Sequence, residues 1–155
     1  GMRWDVDRHT RIHFLYPPIE EAGSVFQEVK SQNSHSIVFL LQIYDRSFLF
    51  SGDIPQSEED DVILAAEKAG KYHVDLLKVA HHGSKTSTSE EWLAFWRPVL
   101  SVISVGKNNL YGHPHDEVTE RLIRYKSAVL RTDIHGEIQL RVYNNELLFR
   151  SKLKR

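Results

Sequence analysis

Residues 76–87 have the sequence LLKVAHHGSKTS, and this stretch decides the predicted fold. The apolar run at 74–80 has the length and composition of a buried strand. His81 and His82 follow at its C-terminal end, where open α/β sheets bind their ligands. Gly83 permits a sharp turn close to whatever the histidines hold. Because neutral imidazole is the commonest side-chain metal ligand, the pair predicts a metal site. The alternative is a turn with one hydrogen-bonded and one solvated histidine.

Two further predicted strands end in a similar way. Ser51-Gly52-Asp53 follows the apolar run at 48–50, and Gly112-His113-Pro114 follows a third strand pattern and a loop. Carboxylate plus imidazole suits Zn²⁺ or Mn²⁺, and a carboxylate can bridge two cations in a hydrolytic site. Asp53 is therefore predicted to be a metal ligand and catalytic residue. Its alternative role is a turn aspartate that caps nearby backbone.

The roles of the individual histidines are less determined. Adjacent strand residues point to opposite faces, so both His81 and His82 can reach one metal only if the strand has already broken into the turn. The favoured expectation is that one of them binds metal and the other supports it, with His82 also a catalytic candidate. His113 is predicted to donate a proton or hydrogen bond to a phosphoryl oxygen, and its alternative is a surface loop histidine. Four further loop residues could bind phosphate or could simply be solvated: Ser84, Lys85, Asn108 and Asn109. The remaining histidines, at positions 9, 13, 35, 73, 115 and 135, are predicted not to be ligands.

Length and composition limit the number of domains and the kinds of site that the chain can contain. At 155 residues the chain fits one domain, predicted over 3–151 with a basic tail at 152–155. The formal net charge is −1, so no overall basic field indicates a nucleic-acid binder. There are no cysteines, which excludes a disulfide scaffold, a thiolate zinc site and a cysteine nucleophile. No apolar run approaches the roughly 20 residues that span a bilayer, and no targeting signal is expected in this chain.

The order of elements predicts an α/β protein with a mixed sheet and helices on one face. Strands are predicted at 11–16, 36–44, 47–50, 74–80, 99–105 and 128–131, with a loop over 19–34. Ser57 is predicted to cap a helix that ends at Gly70, and Asp116 to cap a helix that reaches about Lys126. A short helix over 90–96 is expected to pack its aromatic residues into the core. A closing hairpin is predicted over 137–143 and 146–151, through Asn144-Asn145.

Five segments together resemble one protein family. They are NSHSIVFLL, FLFSGD, DLLKVAHHGSKTS, SVISVGKNNLYGHPHDEV and RTDIHGEI, spread from about Trp4 to Val142. They look like the C-terminal metallo-β-lactamase-like domain of ComEC-type competence proteins, which are membrane channels for DNA uptake. The resemblance implies an αββα sandwich that holds one or two metal ions, zinc or manganese, and acts as a nuclease.

One family motif is missing. The family has an HxDxDH-type run in its N-terminal half, whereas Val6-Asp7-Arg8-His9 has the wrong spacing. The chain therefore resembles only the second half of the domain. The implied function is the phosphodiesterase module of a DNA-uptake channel, with DNA as the partner of the full-length protein. The fragment is expected to be inactive alone. Because the motif that supplies most ligands is missing, the fragment could also fail to bind a metal.

The missing half also bears on assembly and location. A half-sandwich would leave one apolar sheet face bare, so the chain is expected either to form a homodimer or to fold residues 3–35 over that face. The resemblance implies a soluble domain of a membrane protein, on the outer face of the cytoplasmic membrane. Two alternatives remain: a non-catalytic α/β interaction domain, and a complete small protein that assembles its site across a dimer.

Overall fold

The computed structural model describes residues 2–18, 32–70 and 73–152, which form a seven-stranded sheet and a two-stranded hairpin. The sheet strands lie side by side in chain order: β1 (Arg3–Asp5), β2 (Thr10–Tyr16), β3 (Val38–Ile43), β4 (Arg46–Phe50), β5 (Leu76–Lys78), β6 (Leu100–Ile103) and β7 (Ala128–Arg131). The hairpin consists of β8 (Glu137–Tyr143) and β9 (Glu146–Lys152).

The sheet is mixed. Strands β1 to β4 pair antiparallel, and β4 to β7 pair parallel. Parallel neighbours need crossover connections, which here contain α1 (Glu59–Lys68), α2 (Glu90–Trp96) and α3 (Asp116–Arg124). A single helical turn, α4 (Thr132–His135), follows β7. The predicted α/β class with a mixed sheet is confirmed. No helix in the described ranges is long and apolar enough to cross a membrane.

All three crossover helices pack on one face of the sheet, called here the inner face. Its buried cluster combines helix residues such as Val62, Trp92 and Leu122 with strand residues such as Leu49 and Leu77. The aromatic side chains of α2 pack as the sequence predicts, because both of its tryptophans are fully buried. The second apolar cluster lies on the opposite face and contains no helix residue among those described. Helices on one face are therefore confirmed.

The opposite, outer face carries a row of paired side chains that crosses six strands. Cross-strand partners along this row are Phe14, Phe39, Phe50, Lys78, Val102 and Leu130. The rings of Phe39 and Phe50 stack with centroids 4.7 Å apart. Lys78 is the one charged member of the row, and it stands near the carboxyl ends of the strands.

The strand patterns alone suggest that the outer face is wholly bare, but the β8–β9 hairpin covers part of it. Val142 and Leu147 of the β8–β9 hairpin pack against the outer cluster around Phe48, Leu76 and Leu100. The predicted turn at Asn144-Asn145 is confirmed, since both residues have positive φ. This turn is fastened to the β3–β4 turn, where Asn145 Nδ2 donates to Asp45 Oδ2 (2.7 Å).

Several local expectations need correction. Strand β1 is absent from the sequence prediction. It pairs with β2 and forms one edge of the sheet. Because β1 and β2 extend the sheet sideways, these residues do not fold back over its outer face. Strand β5 is shorter than the apolar run at 74–80. The predicted loop over 19–34 lies mostly outside the described residues, and the structure begins again with a 3₁₀ turn at Asn33–His35.

The predicted helix caps also differ. The hydroxyl of Ser57 donates to the Glu58 carboxylate instead of capping α1, because a 3₁₀ turn at Gln56–Glu58 precedes the helix. Helix α3 has His115 as its N-cap residue and ends at Arg124, so Asp116 is its first residue and not its cap. Of the predicted basic tail, Lys152 belongs to β9, and residues 153–155 lie outside the described residues.

Candidate functional site

The predicted site residues meet at the carboxyl ends of neighbouring strands. Asp53 follows β4, the two histidines follow β5, and His113 follows β6 across a loop. The turns after β4 and β5 are joined directly, because the backbone N–H of His81 donates to the Gly52 carbonyl oxygen (3.2 Å). Parallel pairing of β4, β5 and β6 is what aligns these ends at one edge of the sheet.

Both histidines lie in a turn and not on a strand. Strand β5 ends at Lys78, and His81 and His82 have φ values of 46° and 55°. Their rings are 6.4 Å apart between centroids. Because the strand has already ended, the alternation that would send the two side chains to opposite faces no longer applies.

His82 has the more clearly defined geometry of the two. Its Nδ1 lies 2.7 Å from the Ser104 carbonyl oxygen, which can only accept, so Nδ1 carries the proton. The opposite ring nitrogen, Nε2, lies 3.8 Å from Oδ2 of Asp53. This is the arrangement seen when a backbone carbonyl orients a ligand histidine. A carboxylate and an imidazole nitrogen therefore face each other across a gap wider than a hydrogen bond.

His81 lies deeper in the same cluster. Its Nε2 is 3.5 Å from Nδ2 of Asn33, and its ring stands edge-on to His113 with centroids 5.6 Å apart. Its buried Nδ1 has no hydrogen-bond partner in the described ranges. A buried ring nitrogen without a partner costs free energy.

His113 is held by its own loop. Asn109 accepts the N–H of His113 (2.9 Å) and donates to its carbonyl oxygen (2.7 Å), so the loop at 106–113 is closed on itself. Desolvation by burial is the largest effect that lowers the pKa of His113. The neighbouring histidines lower this pKa further, and Asp53 raises it. Near neutral pH this side chain is therefore a neutral imidazole with one N–H to donate.

His115, predicted not to be a ligand, belongs to the same cluster. Its ring centroid is 5.0 Å from that of His113, and its Nδ1 accepts the backbone N–H of Lys85 (3.2 Å). The backbone N–H of His115 also donates to the Gly83 carbonyl oxygen (3.0 Å). His115 therefore joins the loop that carries His113 to the turn that carries the paired histidines.

Sequence reasoning did not identify Lys78 as part of the site. Its ammonium donates to the carbonyl oxygens of Gly52 (3.1 Å) and Val79 (3.2 Å) and lies 4.0 Å from Oδ1 of Asp53. Burial lowers the pKa of Lys78, and Asp53 opposes this effect. A lysine within an otherwise apolar strand run was the available signal, since such a residue needs a charged or polar partner.

The sequence also did not identify Glu59 as an anchoring residue, because its position at the start of α1 suggests only an interaction with the helix dipole. The side chain is buried, and its carboxylate accepts the backbone N–H groups of Thr88 and Ser89 (2.9 Å to Ser89). Burial raises the pKa of Glu59, while the hydrogen bonds to Ser89 and Thr88 oppose the shift. Glu59 thus ties α1 to the segment between the paired histidines and α2.

The predicted phosphate-binding residues occupy different environments. Ser84 is buried and shares a hydrogen bond with the Thr86 hydroxyl (3.0 Å). The amide of Asn109 is engaged within its own loop, as described above. Lys85 and Asn108 are exposed beside the cluster. Substrate binding by these four residues stays a prediction.

The implied metal has an incomplete set of ligands. Asp53 and His82 offer a carboxylate and an oriented imidazole, which suit zinc or manganese. A catalytic zinc site generally uses three protein ligands, however, and the described ranges contain no group of three or more His, Asp or Glu side chains placed to hold a metal ion. The residues described here therefore do not form a complete metal site by themselves.

Comparison with known proteins gives three related sequences. The chain is 40% identical over 134 residues to ComE operon protein 3 of Bacillus subtilis and 42% identical over 118 residues to Recombination protein 2 of Haemophilus influenzae. It is 31% identical over 107 residues to competence protein ComA of Neisseria gonorrhoeae. These matches cover 86%, 76% and 69% of the chain but only 16%, 14% and 15% of the three relatives.

Two other comparisons add little. No protein-family model matches the chain. Among solved structures, a Thermotoga maritima protein described as a metallo-β-lactamase aligns with 94% of this chain and 74% of its own, at 17% identity and a TM-score of 0.40. That likeness is too low to support an argument about fold or function.

Proposed function

The chain is homologous to one segment of the ComEC-type competence proteins, and on that premise we propose that it is part of a phosphodiesterase module acting on DNA. The matched segment is only 14% to 16% of each relative's length, so the proposed activity belongs to a longer protein. The module would be the second half of a metallo-β-lactamase-like sandwich, with zinc or manganese as its metal.

The observation that carries this proposal is the pairing of Asp53 with His82. The carboxylate and Nε2 lie 3.8 Å apart, and the Ser104 carbonyl fixes the orientation of the imidazole. We propose that both contribute to a metal site whose other ligands lie outside this chain. His82 is favoured over His81 as the ligand, because only His82 has this oriented geometry.

His113 is proposed to contact the substrate. As a neutral imidazole it would donate a hydrogen bond to a phosphoryl oxygen rather than supply a positive charge. Lys78 would stabilise the Asp53 carboxylate, since its ammonium faces Oδ1 and fastens the two flanking turns. In the longer protein the module is proposed to lie on the outer face of the cytoplasmic membrane, where it would meet incoming DNA.

A cleavage assay tests the proposal. This chain and a longer polypeptide that includes the preceding segment of its parent would be incubated with single- and double-stranded DNA and Mn²⁺ or Zn²⁺. We expect the longer polypeptide to cleave DNA and this chain alone to be inactive. Asp53→Asn and His82→Gln should each reduce cleavage by about 100-fold or more.

Matched control variants keep the result specific. Asp61→Asn on the exposed surface of α1 and His73→Gln at the opposite end of β5 should leave cleavage unchanged. Absence of cleavage by the longer polypeptide with either metal would contradict the phosphodiesterase proposal. Robust cleavage by this chain alone, lost in Asp53→Asn, would contradict the proposed dependence on outside ligands.

A second candidate function is a non-catalytic interaction domain. It is favoured by the lack of a three-residue metal group in the described ranges. In that case the cleavage assay would be negative for both polypeptides, and Asp53→Asn would alter only stability or partner binding.

A further inference from the structure

A pocket of about 430 Å³ opens directly beside the candidate site. Its wall includes His82 and His113, and the other lining residues are Ser104, Val105, Gly106, Asn109, Tyr111 and Thr132. The volume falls in the range of about 300–1,000 Å³ that is typical of small-ligand sites. No acidic or basic side chain other than the two histidines lines it, so its walls could accept a flat, uncharged group.

Tyr111 is the aromatic wall of this pocket. Its ring is near-parallel to that of His113, with an interplanar angle of 27° and centroids 5.8 Å apart. The tyrosine is nevertheless 79% exposed, and Leu110 beside it is 98% exposed. A large aromatic side chain that is oriented by one neighbour and otherwise open to solvent can offer a flat surface for stacking.

The loop that carries Tyr111 is preorganised. Asn109 donates to the Gly106 and His113 carbonyl oxygens and accepts the His113 N–H, so both ends of the loop are held together. Positive charge is available nearby, because Lys107 lies on the same loop and Lys85 is linked to His115 through its backbone. A phosphate beside the histidines and a ring on Tyr111 would therefore be neighbours.

We propose that this pocket is a nucleobase subsite, in which one unstacked base of a single-stranded nucleic acid stacks on Tyr111 while its phosphate lies near His113. The inference rests on the proposed function and names its substrate as single-stranded. In a duplex both faces of a base are covered by its neighbours, so an aromatic platform of this kind selects bases that are free. Because every base has a π-face and the pocket walls carry little charge, the subsite tolerates any base.

The test is binding, measured without metal. A fluorescently labelled oligothymidylate of twelve nucleotides and a matched duplex would be titrated with this chain at one fixed salt concentration, with anisotropy as the readout. We expect the single strand to bind more tightly. Tyr111→Ala should weaken single-strand binding by about 5- to 150-fold, the loss of one stacked base, while Tyr111→Phe retains it.

Two controls make the test specific. Tyr143, which is 62% exposed on the β8–β9 hairpin, provides a matched surface tyrosine whose change to alanine should have no effect. An oligonucleotide of abasic residues keeps the phosphates and removes the bases. Wild type should bind it about as weakly as Tyr111→Ala binds oligothymidylate, and Tyr111→Ala should weaken that binding no further.

The outcomes separate this proposal from the phosphodiesterase proposal. An unchanged affinity in Tyr111→Ala, an equal loss for the duplex, or no binding of the oligonucleotide by wild type would each overturn the base subsite. None of these results depends on metal or cleavage, so the phosphodiesterase proposal would stand. Conversely, a Tyr111-dependent preference for single strands would support the subsite even if the longer polypeptide cleaves nothing.

Discussion

Pro114 packs directly against the backbone of Gly83. A Cβ built on Gly83 would lie 2.5 Å from the Cβ of Pro114, closer than non-bonded carbon atoms approach, and 3.1 Å from the Cα of Pro114, a tight contact. Gly83 also has a φ of +82°, a backbone conformation that residues other than glycine rarely adopt. The turn after His82 and the loop that carries His113 are therefore in contact only because residue 83 has no side chain.

Gly83→Ala should destabilise the protein and displace the loop at 113–115. We expect a loss of about 2–5 kcal/mol of unfolding free energy, from backbone strain and steric overlap together. Urea denaturation measures it. Gly70→Ala is the matched control, since Gly70 also has positive φ (+68°) but its Cβ would meet no described atom within 4 Å. Its cost should be about 1 kcal/mol, and equal losses would contradict the steric contact.

Glu59→Ala should cost about 2–4 kcal/mol of unfolding free energy, because it leaves two buried N–H groups, of Thr88 and Ser89, without acceptors. Urea denaturation is again the measurement. Glu91→Ala, a change of an exposed glutamate in the first turn of α2, should cost less than about 0.5 kcal/mol. A loss at Glu59 no greater than that at Glu91 would refute the anchoring role.

The lowered pKa of His113 should make the protein less stable in mild acid. The native state binds this proton less readily than the unfolded chain, whose histidine titrates near 6.5. His113 therefore contributes stability above pH 6.5, and that contribution is lost as the pH falls through its folded-state pKa. Thermal denaturation between pH 7.5 and pH 5 should show a shallower decline for His113→Gln than for wild type.

His9 provides the control for this pH dependence. It lies in the β1–β2 turn and stacks on Tyr44 of the β3–β4 turn, away from the histidine cluster. His9→Gln should follow the wild-type decline. If His113→Gln also follows it, the cluster does not restrict protonation of His113.

The chain is expected to form a two-fold dimer through its outer sheet face. The hairpin covers only part of that face, and apolar side chains such as Phe39, Leu41 and Phe50 stay partly exposed. Burial at about 25 cal/mol per Å² provides the driving force. Size-exclusion chromatography with light scattering at tens of micromolar concentration measures the mass. A clean monomer of 18.0 kDa would contradict the dimer.

Charged substitutions locate the dimer contact. Phe39→Lys combined with Phe50→Lys places two charges on the outer face and should yield a monomer. Ile123→Lys, at an exposed position of α3 on the other side of the sheet, is the matched control and should stay dimeric. Dissociation by Ile123→Lys alone would place the contact on the helical side.

The sequence alone determined most of the strands and helices, and it also determined that the loops of the candidate site lie together. Apolar runs ended by Gly-Asp, His-His-Gly and Gly-His-Pro predict strands whose carboxyl ends share one edge, and Asp53, His82 and His113 do lie there. Asn144-Asn145 likewise predicts its hairpin. These features depend on residues close together in the chain, since periodicity and turn chemistry act over a few residues.

Only the tertiary structure decided which side chains became partners. His82 differs from its neighbour His81 because the Ser104 carbonyl oxygen, 22 residues away, accepts a hydrogen bond from its Nδ1–H. Glu59 caps a segment 30 residues further on, and Lys78 reaches Asp53 because parallel pairing sets β4 beside β5. The hairpin packs Val142 and Leu147 on the outer face. Such contacts join residues distant in sequence, and their geometry exists only once the sheet has aligned the strand ends and the core has been packed.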